Sequence, residues 1–150
     1  MAVLRPATEA DVAAITDLVD AAYQPYVERI GMRPGPMDED YREVVGYLQV
    51  TVAESEGALV GVLVLGTTPD GFLIHNVAVH PAHRGKGLGR ALLELAESEA
   101  RKAGFDSIYL FTHEGLLESR ALYERIGYVE YERRPLEGFS LVFMRKALAG

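Results

Sequence analysis

Val-Ala-Val-His-Pro-Ala-His-Arg-Gly-Lys-Gly-Leu-Gly-Arg, residues 77 to 90, governs how the rest of the chain is read. An apolar, β-branched run meets Pro81, a basic glycine-rich loop follows, and the loop opens into residues with helical spacing. The first N–H groups of a helix have no partner within it, and the helix dipole leaves partial positive charge at that end. Glycines in front of such an end let anionic oxygens approach the backbone closely, so the segment forms an anion site that suits a diphosphate. The first expectation is therefore a protein that binds a phosphorylated cofactor.

Composition sets the outer limits. A chain of 150 residues, 49% of them hydrophobic, has enough apolar material for one core, which predicts a single domain over residues 1–150. The longest apolar run, Ala58 to Leu65 with Gly61 inside it, falls well short of the roughly 20 residues that span a bilayer, so no membrane association is expected. The start of the sequence lacks the basic and then long apolar stretch of a secretion signal. With no cysteine, a disulfide framework and a thiolate metal site are both excluded, and the expected location is cytoplasmic. A formal net charge of −7 argues against nucleic acid as a partner and fits a cationic small substrate, although an acidic surface also serves solubility.

Along the chain, Val3 to Arg5 reads as a short strand. Thr8 then heads a Thr-x-x-Asp box before an apolar stripe of Val12, Ile15, Leu18, Val19 and Ala22. Residues 24 to 36 hold three prolines and two glycines, so the helix is expected to stop before them. A second helix is predicted over Asp38 to Tyr47. Val50 to Glu54, Ala58 to Thr67 and Phe72 to Val79 read as strands. The turn signals Glu56-Gly57 and Pro69-Asp70-Gly71 join them into an antiparallel meander. Leu88, Ala91, Leu92, Leu95, Ala96 and Ala103 mark a long helix that Gly104 ends. Ser107 to Thr112 is a further strand, Ser119 to Ile126 a short helix stopped at Gly127. Tyr128 to Arg134 and Phe139 to Lys146 form a hairpin around Pro135 to Gly138.

Three patterns compete for the glycine loop. A phosphate-cradling P-loop needs Ser or Thr after Gly-Lys and a glycine further upstream, whereas Gly87 follows Gly85-Lys86 and the upstream glycine is missing. A dinucleotide fingerprint fits at Gly85 and Gly87, with Glu114 as its acidic residue. However, its third place is Arg90, and the preceding strands form a meander rather than a parallel βαβ unit. The third pattern is Arg or Gln, two residues, Gly, one residue, then Gly or Ala. Arg84-Gly85-Lys86-Gly87-Leu88-Gly89 satisfies it throughout.

On these residues the chain resembles the GNAT superfamily of acyl-CoA-dependent N-acyltransferases. Leu73 to Val79 followed by His80-Pro81 is similar to that family's central strand, and Ala121 to Tyr128 is similar to its late helix and turn. The resemblance covers roughly residues 72 to 131. It implies an α/β (α+β) fold, a mixed and mostly antiparallel central sheet flanked by helices in the order β-α-α-β-β-β-α-β-α-β-β, with acetyl-CoA as co-substrate. In the family the pantetheine arm lies between two diverging strands, here Phe72 to Val79 and Ser107 to Thr112. The arm would therefore run along Val77, Ala78 and Val79, with backbone groups of Val77 and Val79 pairing with it. One of those N–H groups would polarise the thioester carbonyl. The N–H groups of Gly85, Lys86, Gly87, Leu88, Gly89 and Arg90 would hold the diphosphate, with Arg84, Lys86 and Arg90 adding charge.

The implied chemistry moves two protons, one off the ammonium of the acceptor and one onto the departing thiolate. The resemblance assigns the acid to Tyr123, which on its own sequence also reads as a packed helix aromatic. Positions where several family members carry a glutamate base hold His75 and Phe111 here. His75 is the candidate base, an imidazole whose ordinary pKa of about 6.5 suits the task; a structural strand histidine is its other reading, and His113 or a water chain are rivals. Family members also carry an asparagine that contacts the arm, where this chain has Leu116 and Ser119. Ser119 reads either as a replacement contact or as the N-cap of its helix.

The pair His80 and His83 lacks further ligands, and no metal is expected. Asp38, Glu39, Asp40 and Glu43 read as charges favoured at a helix start or as an attraction for an ammonium group. The resemblance places Tyr26, Met32, Met37 and Phe139 at the acceptor wall, where core packing is their alternative. The expected function is transfer of an acetyl group from acetyl-CoA to a primary amine of a small molecule or peptide by direct attack on the thioester. A non-catalytic acyl-CoA-sensing module and a dinucleotide-dependent oxidoreductase are the alternatives. A homodimer is compatible with the family.

Overall fold

The computed structural model describes residues 2–149. Its elements are β1 (Val3–Pro6), α1 (Val12–Ile30), α2 (Tyr41–Tyr47), β2 (Gln49–Ser55), β3 (Ala58–Thr68), β4 (Gly71–Val79), α3 (Leu88–Lys102), β5 (Ser107–His113), α4 (Leu117–Ile126), β6 (Val129–Leu136) and β7 (Phe139–Ala147). Single 3-10 turns precede α1, α2 and α3. The seven strands form one sheet in the order β1-β2-β3-β4-β5-β7-β6, in which β4 and β5 run parallel and all other neighbours antiparallel. The order and the mostly antiparallel sheet match the sequence reading.

Alternation along β3 shows how the two layers are covered. Val62 and Val64 pack with Ile15, Val19 and Val44 under α1 and α2, while Leu63 and Leu65 pack with Leu92, Leu93 and Ala96 under α3. A strand buried on both faces reads as a continuous apolar run. Val60 to Leu65 is such a run, with only Gly61 breaking it.

Two irregularities in β4 create the space for a site. It pairs with β5 only at Phe72, Leu73 and Ile74, although both strands continue, so beyond Ile74 the sheet splits. At the same point the register to β3 slips: Leu65 faces Ile74 and Val64 faces Asn76, which leaves His75 as the extra residue of a bulge. Consecutive side chains of a regular strand point to opposite faces. Because of the bulge, His75 and Asn76 instead both reach the layer of α1 and α2, where they meet Glu39, Tyr23 and Tyr41.

Four local expectations are corrected. Helix α1 does not stop before Gln24 but passes through Pro25 to Ile30, ending where the Gly31 N–H meets the Val27 carbonyl at 3.0 Å. Proline removes an N–H and crowds the preceding turn. Here the Arg84 guanidinium donates to the Ala22 carbonyl at 2.7 Å, so this disturbed turn has a partner from outside the helix. Helix α2 starts at Tyr41, capped by the Asp40 carboxylate on the Arg42 N–H at 3.0 Å, and residues Gly35–Asp38 form a separate 3-10 turn. Helix α4 begins at Leu117, so Ser119 lies inside its first turn and is not its cap. The start is set upstream by a turn in which the Gly115 and Leu116 N–H groups bond His113 at 2.8 and 3.1 Å. The last hairpin turns at Glu137-Gly138 alone, and Pro135 and Leu136 belong to β6, an edge strand that tolerates proline.

The Thr8 box forms as read. The Asp11 carboxylate accepts from the Thr8 N–H at 2.8 Å and takes both terminal nitrogens of Arg5 at 2.9 Å. Arg5 is the main cause that pulls the Asp11 carboxyl down from 3.8 to about 2, helped by the Thr8 N–H. A carboxyl whose pKa is lower folded than unfolded adds stability above its unfolded pKa and loses it as pH falls through the folded one. Asp11→Ala should cost about 1–2 kcal/mol at neutral pH, the usual worth of such a cap. In urea titrations at stepped pH the difference from wild type should vanish between about pH 4 and pH 2, the window set by the two pKa values.

Candidate active site

Two cavities flank the split in the sheet. The first, of about 380 Å³, lies against the layer of α1 and α2 and is lined by His75, Glu39, Asp38, Met32, Phe111 and Phe139, among others. The second, of about 630 Å³, runs from the split to the start of α3, past Val77, Ala78, Val79 and the glycine loop, with Ser119 and Leu122 of α4 on its other side. Tyr23, Val77 and Tyr123 line both, so the cavities adjoin at these three residues.

The walls of the second cavity follow from backbone geometry. In an antiparallel pair the N–H and C=O groups of successive residues point alternately toward and away from the partner strand. The His80 N–H bonds the Val60 carbonyl at 2.8 Å and Ala78 pairs with Val62, so the peptide groups of Val77 and Val79 face the split. At the far end, Gly85 and Gly87 turn the chain with φ of 78° and 82°, a left-handed conformation that side chains resist. The first intrahelical bond of α3 is Ala91 N–H to Gly87 carbonyl at 3.0 Å. The N–H groups of Leu88, Gly89 and Arg90 therefore have no acceptor within the helix. A methyl group added at Gly89 would sit 3.6 Å from Leu122 and 3.9 Å from Val79, which places this glycine on the floor between the two.

Of the three basic residues in the loop, Arg90 lines this cavity, Lys86 does not, and Arg84 lines it while spending one nitrogen on the Ala22 carbonyl. Tyr26 lines this cavity and not the first. Met37 lines neither; its 3-10 turn points it inward, against the core under α1.

At the junction, Tyr123 is held on α4 with its ring 6.0 Å from that of Tyr128, and burial pushes its phenol well above the ordinary value, so the hydroxyl keeps its proton. The neighbouring polar network is directional. Tyr23 donates to the Asn76 carboxamide oxygen at 2.8 Å, the Asn76 amide donates to the Tyr41 hydroxyl at 3.2 Å, and Tyr41 donates to the Pro36 carbonyl at 2.5 Å. Asn76 is only 4% exposed, and this chain of bonds pins the bulge to α1, α2 and the 3-10 turn that walls the first cavity.

In the first cavity, His75 Nε2 meets a Glu39 carboxylate oxygen at 2.6 Å. In the neutral ring Nε2 then carries the proton and Nδ1 the free lone pair. His113 is arranged the opposite way. Its Nδ1 accepts the Gly115 N–H at 2.8 Å, so its lone pair is already spent on the backbone. Its ring stacks on Phe139 with centroids 3.9 Å apart, and burial lowers its pKa. Sequence reasoning named Glu39 only as part of an acidic cluster, because no spacing rule joins residues 36 positions apart. It placed Tyr23 and Arg33 only within a segment, Tyr23 to Pro36, expected to wall the acceptor pocket, and gave Asn76 no role.

His80 and His83 sit with ring centroids 6.1 Å apart, and His80 Nδ1 accepts the Ala82 N–H at 3.1 Å as a turn cap. Among the described residues no helix is long and apolar enough to cross a membrane.

Comparison with known proteins gives this arrangement a family. Residues 12–128 match the acetyltransferase (GNAT) family. An L-methionine sulfoximine/L-methionine sulfone acetyltransferase of Salmonella typhimurium is 38% identical over 111 residues, covering 67% of this chain and 64% of its own length. The L-amino acid N-acyltransferase MnaT of Escherichia coli is 35% identical over 102 residues, covering 65% and 59%. The matches thus span less than two thirds of these relatives' lengths. The yncA protein of Salmonella typhimurium, solved with its cofactor acetyl-CoA, superposes with a TM-score of 0.75 at 26% identity over 100% of this chain and 95% of that one. The PaiA N-acetyltransferase of Thermoplasma acidophilum, solved with coenzyme A, shares the fold with a TM-score of 0.82 at 14% identity, covering 98% and 99%. The chain belongs to the GNAT acetyltransferase family.

Proposed function

We propose that this protein is an N-acetyltransferase that moves an acetyl group from acetyl-CoA to the primary amine of a small molecule, acting in the cytoplasm as one catalytic domain. The observation that carries the reading is the meeting of two cavities at Tyr123, one along an open strand edge that leads to a helix start, the other beside a histidine–carboxylate pair. The residues fit the co-substrate. The free N–H groups of Leu88, Gly89 and Arg90 suit a diphosphate, and the outward peptide groups of Val77 and Val79 suit an amide-bearing arm. Gly85, Gly87 and Ala78 shape that cleft, Ser119 offers a hydroxyl, and Arg90, with Lys86 nearby, supplies charge. Arg84 acts mainly by bracing the loop against α1.

Bound acetyl-CoA supplies an activated acetyl thioester. The chain's own residues do the rest. His75 takes a proton from the acceptor's ammonium at Nδ1, and Glu39 holds the ring and balances the charge that forms. A β4 N–H polarises the carbonyl, and the Tyr123 hydroxyl offers its proton toward the departing sulfur. Met32, Asp38 and Phe139 wall the acceptor cavity.

Thermal unfolding with acetyl-CoA, free CoA or NADH tests the reading. A ligand at a hundredfold excess over its Kd adds about 2.7 kcal/mol, a rise of about 5 to 11 °C for a chain of this size. Acetyl-CoA and CoA should each produce it and NADH should not. Thiol release on adding an amine is read without background from the protein, which has no cysteine. Binding without thiol release from any amine would make the protein a sensor of acyl-CoA, and a shift with NADH alone would overturn the proposal.

A further inference from the structure

The acceptor cavity carries charge in a pattern that selects among amines. Its carboxylates are Asp38 and Glu39, and its one arginine is Arg33. The charge of that arginine is already offset: Nε donates to Asp38 at 2.9 Å, Nη2 donates to the Met37 carbonyl at 3.1 Å, and Asp20 stands 3.8 Å away. Glu39 is bound to His75, which is neutral when it serves as a base, and the lone pair of His113 is tied to the backbone. What is left facing an incoming molecule is net negative charge, since among the described lining residues the one arginine already has carboxylate partners. Such a wall attracts an ammonium group and repels a carboxylate set beside it. Much of the remaining lining is apolar or aromatic, including Phe111, Phe139, Leu136, Leu141 and Met32.

Resting on the acetyltransferase reading, we infer that the acceptor is a small primary amine with an apolar or aromatic body and no carboxylate next to the nitrogen. The relatives named above for L-amino acids and L-methionine derivatives act on molecules that carry that carboxylate. In this chain the cavity's one arginine, the side chain suited to meet such a carboxylate, already faces Asp38 and Asp20.

Phenethylamine and L-phenylalanine, compared by thiol release at saturating acetyl-CoA, test the inference. They share an aromatic body and differ by the carboxylate, and phenethylamine is the more basic amine, so any preference for it cannot come from easier deprotonation. The expected result is a kcat/KM for phenethylamine at least about tenfold above that for phenylalanine. Asp38→Asn, which releases Arg33, should narrow that ratio by about fivefold or more, read alongside the variant's melting temperature. Equal use of the two, or preference for phenylalanine, overturns the inference, as does a ratio that a folded Asp38→Asn leaves unmoved. If acetyl-CoA raises the melting temperature but neither amine releases thiol, the inference falls and the co-substrate site stands. If acetyl-CoA produces no shift, the acetyltransferase reading falls first and takes the inference with it.

Discussion

Tyr123→Phe should slow turnover by about 100-fold while leaving acetyl-CoA affinity and melting temperature close to wild type. The ring stays, and with it the contact to Tyr128, so the change removes one oxygen from the junction of the two cavities. A pH series adds a second readout. A thiol has an ordinary pKa of about 8.5 and a phenol about 10. Burial has moved this phenol further up, so outright proton transfer from Tyr123 to a thiolate runs uphill. In the proposed mechanism the hydroxyl works instead as a hydrogen-bond donor that holds its proton toward the sulfur as charge develops there. The loss should therefore be the same at pH 6.5 and pH 9, because Tyr123 does not titrate between them. A variant within threefold of wild type would remove the hydroxyl from the mechanism, and a loss that fades at high pH would restore a titrating acid.

His75→Ala should cost about 100-fold near neutral pH, the usual scale for a positioned base, and added imidazole should recover part of the rate. The rescue is specific, because the substitution opens space beside a carboxylate already placed to hold an imidazole. Glu39→Gln keeps a polar partner at that place but removes the charge that balances the imidazolium, so about a tenfold loss is expected without rescue by imidazole. If His75→Ala leaves both the rate and its pH dependence unchanged, a water chain takes the proton.

What could be read from the sequence was local. The start of α3 was legible because glycines, basic residues and an apolar stripe follow one another within a few positions, and the β2–β3–β4 meander because its turns are short. The continuation of α1 through Pro25 was not, since proline reads as a helix stop and the contact that braces this turn, Arg84 on the Ala22 carbonyl, comes from 62 positions away. The Glu39–His75 contact belongs to the same kind, made only when the sheet brings the end of a 3-10 turn over β4. Met37 was misplaced because the 3-10 turn, unseen in the sequence, decides which of its side chains face the cavity and which the core. The position of Ser119 inside α4 followed from the His113–Leu116 turn, where no proline or serine-type cap announces the start.

The bulge at His75 sets how this site tolerates change. A regular strand offers one face only every second residue, so a single position would have had to serve either the scaffold or the cavity. The extra residue divides that labour between neighbours, Asn76 fastening β4 to the helices and His75 lining the first cavity beside Glu39. A chain one residue shorter between Ile74 and Val77 would keep every apolar residue of the core and still give up one of the two roles. Spacing along β4 is thus a stricter requirement here than side-chain identity, and for anyone rebuilding this site a deletion in that strand is more hazardous than a substitution.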